Sequence, residues 1–429
     1  MGMSTARAPS FHVGGRILAR MGDPRVRRFL QLLVNRGFVE ESLININGSQ
    51  KKLFRFGPLG SLLRRNILKQ WWDAVVLEQP NAFCVENTPL VPVDELLMPD
   101  KTSEKLHLLK GTSLRSSLSH DCSAAYLSAL KLTNGQLPVS VASSGQCFHG
   151  TADEIGSNAD GDKLLKNGLS ETQLLLQNYS PPVNVAQVFD YWLRSRLRWW
   201  RQFSSNPSKF NSSTSSDSKS KTSEESSSQA AINYSFPWGA EAVETICNHG
   251  DIAVRQLEAT SGVSHQGKYH QKTFYPHLIE CQTSIEQCMA VFLTDAYREH
   301  EVKRKGATKN QEDVRLALHL HPLLSPYQVT MSVTGSRLRE VRVLAEHVAK
   351  ELRDAGISVF TSPPNSDSME SQYRRNDELG VPYTVVMSDQ TLDTGVITVR
   401  GRDTRLKQQQ HVSKLQSILL QSIGAQDLT

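Results

Sequence analysis

The stretch 327–360, YQVTMSVTGSRLREVRVLAEHVAKELRDAGISVF, carries two different periods in succession. Residues 327–333 alternate apolar and polar, the two-residue repeat of a strand. Leu338, Val341, Leu344, Ala345, Val348 and Leu352 then recur at helical spacing. Gly356 stands where a left-handed residue closes a helix, and 357–360 is apolar again. The pattern continues downstream. A polar stretch with helical character, SMESQYRRNDELG (368–380), precedes a strand at 383–387. The turn DQTLDTG leads to another strand at 396–399, and Val412, Leu415, Ile418, Leu419 and Ile423 mark one face of a closing helix. Strands alternating with helices predict an α/β domain over 313–429 with a mainly parallel sheet.

The rest of the chain is long enough for at least one further core, since 429 residues exceed what one ordinary domain holds. No run approaches the about 18 apolar residues of a membrane-spanning helix, so no membrane role is expected. A net charge of +5 permits a polyanionic partner without requiring one. The six cysteines (84, 122, 147, 247, 281 and 288) are scattered, with neither a CxxC pair nor zinc spacing. No metal, cofactor or disulfide framework is expected from them.

Residues 1–22 contain Arg7, Arg16 and Arg20 and no acid, and Phe11, Val13, Ile17, Leu18 and Met21 can share a helical face. That is the composition of a mitochondrial presequence, or of a tail that is basic by chance. Residues 204–231 are serine-rich and nearly free of apolar groups, which predicts a disordered loop inside a folded domain. A charged linker at 301–312 separates the region 23–312 from the C-terminal domain.

Two helices stand out in the first region. In FGPLGSLLRRNILKQWWDAVV (56–76), Leu59, Leu63, Ile67, Trp71 and Val75 form one stripe, with Leu68, Trp72 and Val76 beside it. So wide an apolar arc fits either central burial or a second subunit. Around RLRWW (196–200), Phe189, Trp192, Leu193, Leu197, Trp200 and Phe203 line one face, with Arg194, Arg198 and Arg201 largely on another. Trp and Arg interleaved suit nucleic-acid stacking, but tryptophans on the apolar stripe favour a core helix.

HLIECQTSIEQCMAVFL (277–293) reads as strand, turn and helix, with the turn placed where nucleotide-binding proteins often hold phosphate. A phosphate there needs glycines for close approach or an arginine for paired charge, and this turn has neither.

NRGFV (35–39) with FGPLG…WW, YSFPWGAEAVETICNHGDIAVRQLE (234–258), and the C-terminal segments between 320 and 404 together resemble the class II aminoacyl-tRNA synthetases of the glycyl type. The resemblance implies an α+β fold: a class II synthetase-like antiparallel sheet domain with helices, then an α/β anticodon-binding-like domain. In those enzymes the segment matching 280–287 reads Glu-Pro-Ser-x-Gly-x-x-Arg. Here Glu280 remains, while Ser284 replaces the glycine and Gln287 the arginine. The matching Phe-Arg-x-Glu is Phe148-His149-Gly150-Thr151, so His149 and Thr151 replace the other arginine and the glutamate. A neutral imidazole cannot reproduce a bidentate guanidinium. Each such donor contributes about 3–4 kcal/mol to a developing oxyanion, so losing both costs very roughly 10⁴-fold. The implied reading is a degenerate ATP site at His149, Thr151, Ser284 and Gln287, with no catalytic residue.

VFDYWLRSRLRWWRQFSSNPSKFNSS (188–213), followed by YSFPWG, resembles a further branch of the same lineage, the accessory subunits of vertebrate mitochondrial DNA polymerases. That resemblance implies a homodimer in the mitochondrial matrix, at the nucleoid. It would bind the catalytic polymerase subunit and primer-template or double-stranded DNA, and raise processivity. Arg298, Lys303, Arg304, Lys305 and Lys309 are the candidate DNA contacts, or else a solvated basic run. Arg374, Arg375, Asp377 and Glu378 are the candidate partner surface, unless Asp377 caps a turn and Glu378 pairs locally. Residues 94–137 resemble a helical dimerisation insertion. A catalytically dead relative that binds tRNA or regulates mitochondrial translation is the alternative.

Overall fold

Seven strands build the central sheet of the computed structural model, which describes residues 23–46, 49–86, 88–92, 107–109, 112–148, 170–214, 228–302, 313–361 and 368–424. The strand order is Ala82–Val85, Val139–Phe148, Ser170–Ser180, His277–Ser284, Gly239–Asn248, Gln229–Phe236 and Phe210–Thr214. Ala82–Val85 joins in parallel, and every other neighbour pairs antiparallel. The expected antiparallel sheet domain is therefore present.

Alternation along Ser170–Ser180 divides the sheet into two faces. Leu174 and Leu176 enter one apolar cluster, while Leu175 and Tyr179 enter another. The helices Pro58–Trp72, Val185–Gln202 and Ile285–Ala296 cover the first face. Leu63, Ile67, Trp71 and Val75 are buried there, so the wide stripe serves central burial. Each such side chain contributes about 1.5–3 kcal/mol. The Trp-rich helix buries Trp192, Trp199 and Trp200 in the same core, which makes it a packing helix rather than a stacking platform.

The helix Ser119–Leu132 covers the second face with Cys122, Tyr126, Ala129 and Leu130. This helix lies in the stretch expected to form a dimerisation insertion, and its apolar face is occupied by its own sheet. Residues 94–106 and 110–111 of that stretch lie outside the described residues.

The serine-rich stretch is more structured than its composition predicts. Residues 204–206 wrap around the buried Asp295, whose Oδ2 accepts from Ser204 Oγ at 2.8 Å and from the Ser205 amide at 2.6 Å. Phe210–Thr214 is an edge strand, and the next strand begins at Gln229. Residues 215–227 lie outside the described residues, as do 1–22.

Tyr297–Val302 and Asp313–Leu318 pair as an antiparallel hairpin. The second strand returns the chain to the first core, which still includes Leu318, Leu320 and Leu324. The second core starts at Val329. The cores thus divide after residue 324, later than the linker at 301–312 suggests.

The C-terminal sheet has the order Val359–Thr361, Val329–Val333, Tyr383–Met387, Val396–Gly401, Lys407–His411. Its first two pairings are parallel and its last two antiparallel, so the sheet is mixed, not mainly parallel. Residues 388–395 are too few for a parallel crossover, which needs about a dozen or more residues. They make a short helix, Asp389–Thr394, closed by Gly395 in the left-handed region, and the chain turns back antiparallel. The helices Leu338–Asp354 and Leu415–Gly424 pack on this sheet.

Candidate functional site

The second face of the large sheet carries a polar row from two adjacent strands. Odd-numbered Gln173 and Gln177 share their face with Leu175 and Tyr179, and Glu280 shares it with Leu278. The loop and first turn of Ser119–Leu132 close over this row. Glu280 Oε2 accepts from Ser119 Oγ and from Gln177 Nε2, each at 2.9 Å. Gln177 Oε1 accepts from the Tyr179 hydroxyl at 2.8 Å and Ser123 Oγ at 3.2 Å. Gln173 Oε1 accepts from the Leu118 amide at 2.6 Å.

His249 Nε2 stands 3.8 Å from Glu280 Oε1. Burial pushes the Glu280 carboxyl up, but the interactions with His249, Gln177 and Ser119 outweigh it and hold the group below its ordinary range. The interaction with Glu280 in turn raises His249.

Beside the row, Arg115 Nη1 donates to Asp121 Oδ2 at 2.8 Å and Arg115 Nε to the Gln146 carbonyl at 2.9 Å, with both charged side chains buried. Gly145 makes room for this guanidinium, since a Cβ there would lie 2.1 Å from Arg115 Nη2. The cation is held by a carboxylate of its own chain. Burial also pushes the neighbouring Cys147 thiol up to about 12, so it is no nucleophile at neutral pH.

At the turn into Ile285–Ala296, Ser284 is buried and caps the helix by accepting from the Gln287 amide at 3.3 Å. Glu286 lies in the first helical turn and accepts from the Thr172 amide at 2.9 Å. A carboxylate and a serine cap complement the positive end of the helix from within, where a phosphate would need an open donor. His149 and Thr151 lie outside the described residues.

The other expected residues fall in two places. Arg298 donates to the carbonyls of Asp295 at 2.7 Å and Tyr297 at 2.9 Å, and to Ser205 Oγ at 3.0 Å. Lys303, Arg304, Lys305 and Lys309 lie outside the described residues.

Arg374, Arg375, Asp377 and Glu378 belong to the helix Met369–Glu378 or its last turn. Asp377 is 2% exposed and accepts both arms of Arg400, at 2.7 and 3.0 Å, with Arg315 at 3.6 Å. Glu378 accepts from Arg36 Nε at 2.7 Å. Each carboxylate is buried and bound by an arginine of the same chain. Arg36 lies 342 residues from Glu378, so that pair is not local, and Asp377 is a buried ion-pair member rather than a turn cap. Arg374 and Arg375 are half-buried, with Arg375 5.8 Å from the centre of the Phe360 ring.

Sequence reading missed the arginines that hold these acids. Arg400 and Arg402 sit in VITVRG and just beyond it, and arginine in an otherwise apolar buried strand is itself a sign of an internal carboxylate or carbonyl partner. Arg402 fits that rule, with Nη1 donating to the Gly380 carbonyl at 2.8 Å.

Fold and site define an α+β protein that joins an antiparallel-sheet domain, its polar row closed by internal bonds, to an anticodon-binding domain. The Anticodon binding domain family matches residues 328–422. Over 419 residues the chain is 30% identical to DNA polymerase subunit gamma-2, mitochondrial, of Xenopus laevis, covering 92% of this chain and 87% of that protein. The Mus musculus DNA polymerase subunit gamma-2 is 30% identical over 399 residues, covering 86% and 84%. Glycine–tRNA ligase of Treponema denticola is 23% identical over 440 residues, covering 88% and 93%. The chain belongs to the DNA polymerase subunit gamma-2 family.

Proposed function

We propose that this chain is a non-catalytic accessory subunit of the mitochondrial DNA polymerase. It binds the catalytic subunit and primer-template DNA as a homodimer in the mitochondrial matrix, at the nucleoid, and raises processivity. Its first domain is a class II synthetase scaffold whose ATP chemistry has been lost. The family supports the partner and the compartment. One observation supports the loss of chemistry above the rest: Ser284 caps the helix where the ligases of the same lineage would grip a phosphate, and Gln287 supplies only its backbone amide to that cap. Arg374 and Arg375 are the proposed partner contacts that remain on the helix Met369–Glu378, and Arg298 with the lysines and arginine of 303–309 is the proposed DNA contact.

The deciding experiment is primer extension on a long single-stranded template by the catalytic subunit, with and without this chain. Longer products per binding event are expected, and unchanged product length overturns the proposal. ATP–pyrophosphate exchange with glycine should stay at the no-enzyme blank. Replacing Lys303, Arg304 and Lys305 together by Ala should flatten the salt dependence of double-stranded DNA binding by up to about 2–3 in slope. An unchanged slope removes these three from the interface.

A further inference from the structure

A cleft of about 280 Å³ opens away from the polar row, where the start of the helix Pro24–Asn35 meets the hairpin turn at 237–238 and the end of Ile285–Ala296. Three cations line it: Arg25, Lys209 and Arg298. Against them stands one lining carboxylate, Asp23, which accepts from the Arg25 amide at 2.8 Å as a helix cap. The nearby Asp295 is turned to Ser204, Ser205 and Asn206 and to the Tyr234 hydroxyl.

Lys209 is half-buried, with Nζ 3.5 Å from the Tyr234 hydroxyl and 5.6 Å from the centre of that ring. Burial, with Arg298 and Arg25 adding to it against the pull of Asp295, lowers its pKa. Arg298 is held in place by its bonds to two carbonyls and a serine.

Three cations make a receptor for a phosphate monoester, which carries about −1.5 to −2 at neutral pH. The cleft is several times larger than a phosphate group, and four aromatic residues are among its lining. Phe236 and Trp238 stack with ring centres 4.8 Å apart, and Phe29 and Tyr297 are tilted by 55° with centres 5.0 Å apart. Such a wall suits a nucleobase at the mouth.

We propose that this cleft binds the 5′-phosphate of a nucleotide, either free or at the end of a DNA strand, with Arg25, Lys209 and Arg298 on the phosphate. The site is separate from the degenerate ATP site and does not depend on a polymerase partner.

Calorimetric titration of the full chain with dAMP, deoxyadenosine and inorganic phosphate tests the inference. Saturable binding of dAMP, with none of deoxyadenosine, is expected. Arg25→Ala and Lys209→Met should each weaken dAMP roughly tenfold, the equivalent of one charge-assisted contact.

Competition by a 5′-phosphorylated oligonucleotide, and not by its 5′-hydroxyl twin, identifies a strand end as the source. Absence of such competition identifies the free nucleotide. The proposal fails if dAMP does not saturate, if folded Arg25→Ala and Lys209→Met bind it as the parent does, or if inorganic phosphate binds as tightly as dAMP.

Discussion

Glu244 is buried, and two side chains hold it. Arg196 Nε donates to Oε1 at 2.7 Å, Trp200 Nε1 donates to Oε2 at 2.5 Å, and the arginine and glutamate side chains are each 1% exposed. Taking one partner from a buried pair leaves an uncompensated charge, at about 3–5 kcal/mol. Glu244→Ala should therefore lower the urea-unfolding free energy by that amount. The double change Glu244→Leu with Arg196→Met should recover most of it, because the pair itself adds little over apolar packing. Glu280 and His249 behave differently, since the imidazole is 44% exposed. The raised His249 contributes stability that is complete below its unfolded pKa near 6.5 and is lost as pH rises through the higher folded value. The depressed Glu280 contributes stability that is complete above about 4.5 and is lost as pH falls through its lower folded value. Their contributions coincide between about pH 4.5 and 6.5. Thermal unfolding from pH 6 to 8 should show a decline that His249→Gln removes. A decline of the same size in the variant assigns it to other groups.

The helix Pro58–Trp72 reaches the core only because one position lacks a side chain. A Cβ on Gly60 would lie 2.0 Å from the Phe38 carbonyl oxygen, which is backbone and cannot rotate away. Gly60→Ala must push the helix off Phe38, and its stability loss in urea should reach or exceed the upper end of the about 1–3 kcal/mol typical of overpacking. Nothing in the sequence marks that contact, although the helix itself was legible from Leu59, Leu63, Ile67, Trp71 and Val75. The same division runs through the molecule. Periodicity reports which face of an element is apolar, so the core face of the Trp-rich helix and the strand–helix–strand unit at 327–360 were readable. Serine-rich composition misreads 204–214 because the stabilising group, Asp295, lies some 90 residues away and accepts from Ser204 and Ser205. The site shows the same limit. The neutral residues at 284 and 287 could be read directly, but the destination of Asp377 could not, because Arg400 lies on a strand separate from the helix that carries Asp377.

Two cores share one chain, and the contacts between them set how the C-terminal domain is carried. Leu323 packs against both clusters. Asn66 Nδ2, on the long helix of the first domain, donates to the Ser325 carbonyl at 2.8 Å just before the second core begins. Arg36 closes the helix Pro24–Asn35 and binds Glu378 at the end of the helix Met369–Glu378, so it joins the first domain to the second. Because each core is complete within its own sheet, the second can lose its docking without losing its fold. The Arg36–Glu378 pair is part-buried, with side chains 31% and 11% exposed. Coupling between contacting residues of this kind falls in the range of about 0.5–3 kcal/mol. Arg36→Ala and Glu378→Ala should each separate the unfolding of the two domains, giving two steps in chemical denaturation where the parent gives a more cooperative curve. The double variant should be little worse than either single one, since both remove the same contact. Amide exchange gives the finer test. In the single variants, protection should fall at 319–326 and around Gly380, while Val329–Val333 and Leu63–Trp71 keep theirs. Strictly additive single and double losses would mean that Arg36 and Glu378 act through other neighbours, and that Leu323 and Asn66 hold the domains together without them.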